Sequence, residues 1–244
     1  MRPGARPDGP GARVERAGAV VRQTGDARSW NGVVRSGLDA AGADRAIGEQ
    51  IAYFTRLGLA FEWKLYGHDR PAGLGGRLTA AGFRAGPKET LMAGETGRLA
   101  LGAVPPAGVR LVRATDPAGI GLVADVHEKA FGTDGTRLRH GLLARLAADP
   151  GSVVAVVALA DGEPVGAARM ELVPGARFAG LWGGGTLAAW RARGVYRALV
   201  AHRARVAAAH GCRCLQADAS AMSRPVLERI GFHALGTTPY AYGD

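Results

Sequence analysis

Cysteine is almost absent from this 244-residue chain, which contains only Cys212 and Cys214. A disulfide scaffold is therefore excluded, and C-x-C without further Cys or His nearby is a weak metal signal, so we expect no metal. No apolar run approaches the roughly 18 residues that a transmembrane helix needs, so we expect no membrane association. The opening MRPGARPDGPGAR has no apolar segment. It therefore predicts no secretory signal peptide and a cytoplasmic protein.

Lysine and aromatic residues are also scarce, whereas arginine is plentiful. Aromatic residues make up 6% of the chain, and the formal net charge is +10. The stretch 188–229 holds eight arginines against Asp218 and Glu228. Such a local excess attracts phosphate groups, either of a cofactor or of nucleic acid. The basic excess is equal in residues 1–105 and 106–244 and no RNA-binding module is visible, which disfavours nucleic acid as the partner.

Composition and hydrophobic spacing divide the chain into two α/β halves. Residues 1–12 are rich in Pro, Gly and Arg without periodicity, which predicts a disordered arm. Residues 13–97 alternate strand-like runs with segments of helical spacing. Residues 98–108 lose the pattern and include two prolines, which predicts a linker. Residues 109–244 predict the order β-α-α-β-β-β-α-β-α-β, a mixed α/β fold.

Local signals set several boundaries in the second half. Asp116-Pro117 combines an N-cap acid with proline at the first helical position. Asp161-Gly162 lies between two apolar runs and predicts a hairpin turn. A long helix is predicted from Gly194 until Gly211 ends it.

The two halves share a weak internal echo. Residues 67–83 align without gaps over 216–232, which pairs Asp69 with Asp218 and Phe83 with Phe232. Each segment reads as a strand end, a loop with Asp, a short helix and a Gly-Phe stop. This echo indicates a duplication, although many α/β units end in the same way.

The most informative segment is TLAAWRARGVYRALVAHRARVAAAHG, residues 186–211. A strand leads into a tight Arg/Gly loop and then into a long helix. The first turn of a helix presents unpaired N–H groups and the positive end of the helix dipole. Gly194 allows close backbone approach, so the segment predicts an anion cradle suited to a pyrophosphate. It is neither a Walker loop nor a dinucleotide fingerprint.

RARGVY (Arg191–Tyr196) resembles the Q/R-x-x-G-x-G/A signature of the GNAT acyltransferase superfamily. SRPVLERIGF (Ser223–Phe232) resembles that family's last helix and its Gly-Phe end, and the element order from 109 to 244 fits as well. The resemblance implies a GNAT acyltransferase domain at 109–244. Residues 13–97 resemble a degenerate GNAT unit without the signature, similar to the double-GNAT arrangement of mycothiol synthase and its actinobacterial relatives.

This resemblance implies an acyl-CoA site. Backbone groups along a splayed strand would pair with the pantetheine arm, the loop would hold the pyrophosphate, and Ser220 stands where many members have an Asn. The implied cofactor-binding residues are Gly184, Gly185, Thr186, Leu187, Arg191, Ala192, Arg193, Gly194, Val195, Tyr196, Arg197, Ser220 and Arg224.

Two departures from the family pattern affect the acid and base chemistry. Tyr196 stands where the signature has Gly or Ala, so its ring must point away from the phosphates. Leu227 stands where many members have a Tyr acid, and the splayed strand GLWGGGTL lacks the usual Glu base. We therefore take Asp218, next to the groove, as the first candidate base and Glu171 as the second. Asp218 could equally be a loop cap, and Glu171 could be plain surface charge.

Four residues are candidates for binding the acceptor: Trp182, His127, Glu128 and Tyr240. Core packing or a solvated helix face remains an alternative for each of them.

The resemblance thus implies transfer of an acetyl group from acetyl-CoA, or of another acyl group, to a primary amine of a small molecule, and we expect no metal. Direct transfer in a ternary complex lets positioning supply much of the rate. Related enzymes often form dimers, so a homodimer is left open. Two alternatives remain: a non-catalytic acyl-CoA sensor or structural protein, and an acetyltransferase directed at RNA such as aminoacyl-tRNA.

Overall fold

The computed structural model describes residues 11–243. Residues 1–10 of the predicted arm lie outside that range. The helices are α1 (Ala43–Arg56), α2 (Leu74–Ala80), α3 (Pro117–Phe131), α4 (Thr136–Ala148), α5 (Val195–Ala209) and α6 (Arg224–Ile230). The strands are β1 (Arg13–Ala17), β2 (Val20–Thr24), β3 (Gly32–Ser36), β4 (Phe61–Tyr66), β5 (Arg84–Ala85), β6 (Thr90–Glu95), β7 (Val109–Ala114), β8 (Val153–Ala160), β9 (Glu163–Leu172), β10 (Phe178–Thr186), β11 (Cys214–Ala219), β12 (His233–Ala234) and β13 (Thr237–Tyr242).

The described residues form two compact units. The C-terminal unit comprises residues 92–218 and 223–233. The N-terminal unit comprises residues 11–91, 219–222 and 234–243.

The C-terminal unit is built on a seven-stranded mixed sheet with the strand order β12-β6-β11-β10-β9-β8-β7. Every residue of β8 is buried, which explains its unbroken apolar sequence VVAVVALA. On one face, α3 and α4 cover β7 to β9 through a core that includes Ile120, Val123 and Leu142. The Asp116 carboxylate caps α3 by accepting from Gly119 N at 2.7 Å, as the N-cap signal predicts.

The N-terminal unit has a six-stranded sheet with the order β1-β2-β3-β4-β13-β5. Strands β1 to β3 are antiparallel, and β3 pairs with β4 in parallel over only two residue pairs. Its core is aromatic: Phe54 stacks on Phe61 at 4.2 Å between ring centroids, and Trp63 and Phe83 are buried beside them. Thus β1-β2-β3-α1-β4-α2 has the same element order as β8-β9-β10-α5-β11-α6.

The sheets do not follow the linear division of the sequence. Strand β6 comes from the first half of the chain but lies between β11 and β12, whereas β13, from the end of the chain, lies between β4 and β5. The predicted linker at 98–108 lies within residues 92–218 of the C-terminal unit. Local patterns identify each strand but not its partner, because strand pairing is decided by contacts distant in sequence.

The mixed α/β fold class is confirmed. No helix within residues 11–243 combines the length and apolar character needed to cross a membrane. In that same range no three His, Cys, Asp or Glu side chains are grouped in a way that could hold a metal ion. Cys212 and Cys214 are both free thiols, and β11 begins at Cys214.

Candidate functional site

Strands β10 and β11 separate within the C-terminal sheet. They pair in parallel from Phe178 and Cys214 only as far as Leu181 and Ala217. Beyond Leu181, β10 continues to Thr186 and pairs with β9 alone. The β11 side of residues 182–186 is therefore an open strand edge, whose backbone groups can pair with an extended ligand.

The open part of β10 contains a bulge made of three glycines. The β9–β10 register shifts between Trp182 and Gly185, and Gly183 has φ +54°. A Cβ added at Gly183 would lie 2.9 Å from Arg169 Nη1, one at Gly184 2.9 Å from Tyr196 Cε2, and one at Gly185 3.0 Å from Ala130 Cβ. A side chain at any of these three positions would therefore require a neighbouring side chain to shift.

The loop after β10 contains two residues with left-handed backbone conformation. A single 3₁₀ turn (Ala188–Trp190) leads to Ala192 with φ +59° and to Gly194 with φ +92°. Left-handed residues of this kind turn neighbouring N–H groups to one side, which creates an anion-binding concavity. Helix α5 starts directly after Gly194 and has no side-chain cap, so its first N–H groups and its positive dipole end are presented there.

The arginines near this loop differ in their contacts. Arg197 is exposed, and its Nη2 lies 3.8 Å from the position of a Cβ on Gly194. Arg193 lies over the Trp190 ring at 5.1 Å. Arg191 donates to Thr186 O at 3.3 Å and to Ala130 O at 3.4 Å, so its side chain braces the loop. The Arg224 guanidinium is paired with Glu228 Oε1 at 2.8 Å. Arg197 is thus the arginine side chain best placed for a phosphate.

Tyr196 points its ring away from the loop, as its size requires. The ring lies against Gly184, and the hydroxyl hydrogen-bonds with Ser223 at the start of α6. Burial raises the pKa of the Tyr196 phenol, although the nearby Arg203 charge opposes this. The backbone N–H of Tyr196 remains in the first turn of α5, where an anion can reach it.

A buried guanidinium supports the bulge from behind. Arg203 on α5 is 1% exposed, and it donates to Leu199 O at 3.0 Å and to Arg169 O at 2.8 Å. Desolvation lowers the pKa of Arg203 to about 10. Sequence reasoning missed Arg203 because it is one of several arginines on an Arg/Ala-rich helix, and nothing local marks it as buried.

The opposite face of the sheet, which α3 and α4 partly cover, carries a polar cluster. Arg145 Nη1 of α4 lies 3.3 Å from Glu171 Oε1, and Arg169 Nε lies 3.9 Å from the same oxygen. Trp182 pairs with Arg169 across β9 and β10 and shares that face. The register places Asp218, directly after the Leu181–Ala217 pair, on the same face as Trp182. The pattern R-M-E within an otherwise apolar β9 could have singled out Arg169.

The two predicted residues on α3 have different surroundings. Glu128 accepts from Gly135 N at 2.9 Å and so holds the turn between α3 and α4. His127 is half-buried, and its Nε2 lies 3.2 Å from Thr133 Oγ1. Burial and the Arg169 charge lower the pKa of His127, whereas Glu128 raises it.

The structure therefore brings most of the predicted residues around the splay, but not all of them. Tyr240 lies in β13 of the N-terminal unit, where its hydroxyl packs over Gly75 of α2. Strand β13 pairs with β4 and β5, and the assignment of Tyr240 to the acceptor pocket stays a prediction. Ser220 follows β11 and is exposed, in a segment that also groups with the N-terminal unit.

In the N-terminal unit, the loop between β3 and α1 corresponds to this loop and contains a carboxylate. There α1 follows Gly42, and Asp39 Oδ1 accepts from Gly42 N at 2.6 Å. A carboxylate thus occupies the place before the helix and would repel a phosphate.

A separate cavity of about 390 Å³ lies in the C-terminal unit and is lined by Arg113, Leu146, Val154 and His210 among others. None of the predicted site residues lines it.

Residues 122–232 match a model of the acetyltransferase (GNAT) family. The match contains the splay, the loop, α5 and α6. No curated protein is significantly similar to the chain.

Solved structures share the fold over nearly the whole chain. A GCN5-related N-acetyltransferase from Kribbella flavida is 20% identical, with 94% of this chain and 88% of that chain covered and a TM-score of 0.72. A tandem GNAT protein from the clavulanic acid biosynthesis pathway is 15% identical, with coverages of 96% and 84% and a TM-score of 0.66. A GCN5-related N-acetyltransferase from Sphaerobacter thermophilus is 15% identical, with coverages of 92% and 76% and a TM-score of 0.65. At these identities the likeness shows the fold alone, and together with the family match it supports the GNAT acetyltransferase superfamily.

Proposed function

We propose, from the premise that residues 122–232 form a GNAT acetyltransferase domain, that this protein transfers the acetyl group of acetyl-CoA to a primary amine of a small molecule. One observation carries the proposal. The edge of β10 that β11 leaves open runs directly into a loop with left-handed residues at 192 and 194, and this loop starts an uncapped helix. An extended ligand that ends in a pyrophosphate suits that combination.

The residues present fit such a donor. Backbone N–H groups of Val195, Tyr196 and Arg197 would hold the pyrophosphate together with the Arg197 guanidinium, and each helix-end contact of this kind contributes roughly 0.3–1 kcal/mol. Residues 184–187 would pair with the pantetheine arm. The Thr186 hydroxyl supports this, because Oγ1 is buried and has no hydrogen-bond partner within residues 11–243. The donor supplies an acyl group that is activated as a thioester.

The polar cluster beside the bulge is our proposed acceptor site. Glu171 fixes the two arginines Arg145 and Arg169 by ion pairs, so we assign it a positioning role. Asp218 lies at the open end of β11 and would attract the acceptor's ammonium group. Trp182 would provide one wall of this site, since its indole lies against Gly180. Holding amine and thioester in contact supplies much of the rate.

We further propose one donor site per chain, because Asp39 fills the equivalent place in the N-terminal unit. Calorimetry of acetyl-CoA on the intact protein would give a micromolar dissociation constant and a stoichiometry of one. Gly194→Glu should abolish binding, since it adds an anion to the cradle. Gly162→Glu is a matched control: its φ is +88°, its Cβ would meet open space, and it lies in the β8–β9 hairpin.

A panel of primary amines, followed through release of free thiol, would then test turnover. No acetyl-CoA binding by the unmodified protein would overturn the donor assignment. Binding without turnover of any amine would instead favour the second candidate function, a non-catalytic acyl-CoA sensor. That alternative draws on Leu227, which is fully buried where the family's proton-donating Tyr would stand.

A further inference from the structure

The β10 bulge has no acid or base on its own strand, so any proton transfer there must use a neighbouring side chain. Its three glycines are each packed against another residue, and Leu227 has no ionisable proton. The side chains of Arg169 and His127 provide the three atoms nearest to an added Cβ at Gly183. A Cβ on Gly183 would lie 2.9 Å from Arg169 Nη1 and 4.0 Å from His127 Nδ1.

We propose that His127 is the proton-transfer residue of the acyl transfer, with Nδ1 taking a proton from the acceptor amine and returning it to the departing thiol. This inference rests on the proposed function. It replaces both the missing carboxylate of the strand and the missing tyrosine of α6 with one imidazole from α3.

The two ring nitrogens of His127 have unequal surroundings. Nε2 lies 3.2 Å from Thr133 Oγ1, which fixes the ring together with Phe131, whose ring centroid is 4.8 Å away. Nδ1 is buried and has no hydrogen-bond partner among the described residues. A neutral imidazole that donates Nε2–H to Thr133 presents the Nδ1 lone pair toward the bulge. Buried polar atoms are normally satisfied, so an orphaned nitrogen aimed at a reaction site points to a missing partner.

The charges around His127 favour this state. Arg169 of β9 and burial lower its pKa, and Glu128 on its own helix acts in the opposite direction. Glu128 also accepts from Gly135 N, so part of its charge is engaged by the α3–α4 turn. Arg145 of α4 and Glu171 of β9 pair with each other farther along the sheet. The imidazole is therefore neutral at neutral pH and can accept a proton.

The same charges help the proton to leave again. The bound ammonium group first releases one proton to solvent, and the neutral amine nitrogen then forms a bond to the acyl carbon while the carbon–sulfur bond breaks. The nitrogen loses one proton to Nδ1, and the imidazolium passes it to the thiolate sulfur, so amine and thioester give amide and thiol. Arg169 beside the ring destabilises the imidazolium and so makes it the better acid.

The carboxylates are weaker candidates for this role. Glu171 is held by ion pairs with Arg145 and Arg169. It lies two residues farther along β9 than Arg169, the residue that pairs with Trp182. Asp218 lies on β11, on the far side of the splay, and suits attraction of the ammonium group.

The test compares His127→Gln with His202→Gln. His202 is a matched control because it is half-buried, its pKa is also lowered by burial, and it lies on α5 among Arg205, Arg113 and Arg203 instead of at the bulge. Both variants should bind acetyl-CoA within about threefold of the unmodified protein. With the fastest amine of the panel, His127→Gln should lose roughly 10²–10⁴-fold in kcat, whereas His202→Gln should not.

Two further readouts separate catalysis from structure. Nitrogen NMR of the His127 ring should show a neutral Nε2–H tautomer at pH 7 and a pKa below the ordinary value near 6.5. The acid limb of the kcat/KM profile should follow that pKa and disappear in His127→Gln. Added imidazole should restore part of the turnover of His127→Ala.

Unchanged kcat in His127→Gln, or an Nδ1–H tautomer in the presence of bound donor, would overturn the role of His127 and leave the proposed function in place. Absence of acetyl-CoA binding by the unmodified protein would remove the proposed function and this proposal with it.

Discussion

Gly194→Ala tests whether the left-handed backbone of the loop is what binds the donor. Gly194 has φ +92°, and among the described residues other than its chain neighbours only Arg197 Nη2, at 3.8 Å, lies within 4 Å of an added Cβ. The substitution therefore adds no collision, and its cost is backbone strain of about 1–2 kcal/mol. Because Arg191, Ala192 and Arg193 are exposed, the loop can rearrange and relieve that strain.

Binding of the donor must then restore the strained conformation of the loop. The free-energy cost of that conformation therefore raises the dissociation constant of acetyl-CoA. A cost of about 1–2 kcal/mol corresponds to roughly 5–30-fold weaker acetyl-CoA binding. The free energy of unfolding should change by less than this amount, since the relaxed loop no longer carries the strain. Calorimetry with acetyl-CoA and urea denaturation of the same samples measure both quantities.

Gly162→Ala is the matched control. Its φ is +88°, and no atom of residues 11–243 outside its chain neighbours lies within 4 Å of an added Cβ. The flanking β8–β9 pairs, Leu159 with Pro164 and Ala160 with Glu163, hold this turn in place. The strain should therefore lower the free energy of unfolding by about 1–2 kcal/mol and leave acetyl-CoA binding unchanged. The reasoning fails if Gly194→Ala retains the original affinity, or if Gly162→Ala weakens binding equally.

Three further changes test buried polar groups and the packing of the bulge. Arg203→Met should lower the free energy of unfolding by about 1–3 kcal/mol, because it leaves Arg169 O without its donor; an unchanged urea midpoint would contradict this. Gly184→Ala should push the Tyr196 ring away from β10. Faster cleavage by chymotrypsin or a shift in the tyrosine absorption spectrum would report this movement. A spectrum and stability equal to those of the unmodified protein would argue against the contact. The folded state lowers the pKa values of His127 and His202, so the unfolded chain binds protons more readily than the folded protein. The free energy of unfolding should therefore be highest above pH 6.5 and should fall as the pH approaches the folded-state pKa values. Replacing both histidines with Gln should reduce this pH dependence, as measured by urea titrations at pH 5 to 7.5.

Local sequence signals predicted the second half of the fold well. The Asp116 cap, the Asp161-Gly162 turn and the glycine before α5 each fix the backbone over a few residues, so they can be recognised without tertiary contacts. The echo between 67–83 and 216–232 corresponds to the matching orders β4–α2 and β11–α6. The residue assignments for donor and acceptor binding stay predictions that the proposed experiments address.

Residues on the two faces of the sheet could not be assigned in the same way. The sequence shows that β10 lacks a carboxylate, but not that Arg169, Tyr196 and Ala130 fill the space above its glycines. It shows His127 on a helix, but not which nitrogen remains without a partner. Such facts depend on which strands and helices pack together across long sequence separations.

The sequence by itself determined the order of elements in the second half, the caps and turns that bound them, and the arginine-glycine loop that opens α5. These features follow from backbone preferences and short-range periodicity. Only the tertiary structure decided that β6 and β13 each pair within the sheet of the other half, that Arg203 is buried behind the bulge, and that His127 faces Gly183. Strand pairing and burial are set by packing between distant segments, and no local pattern encodes that choice.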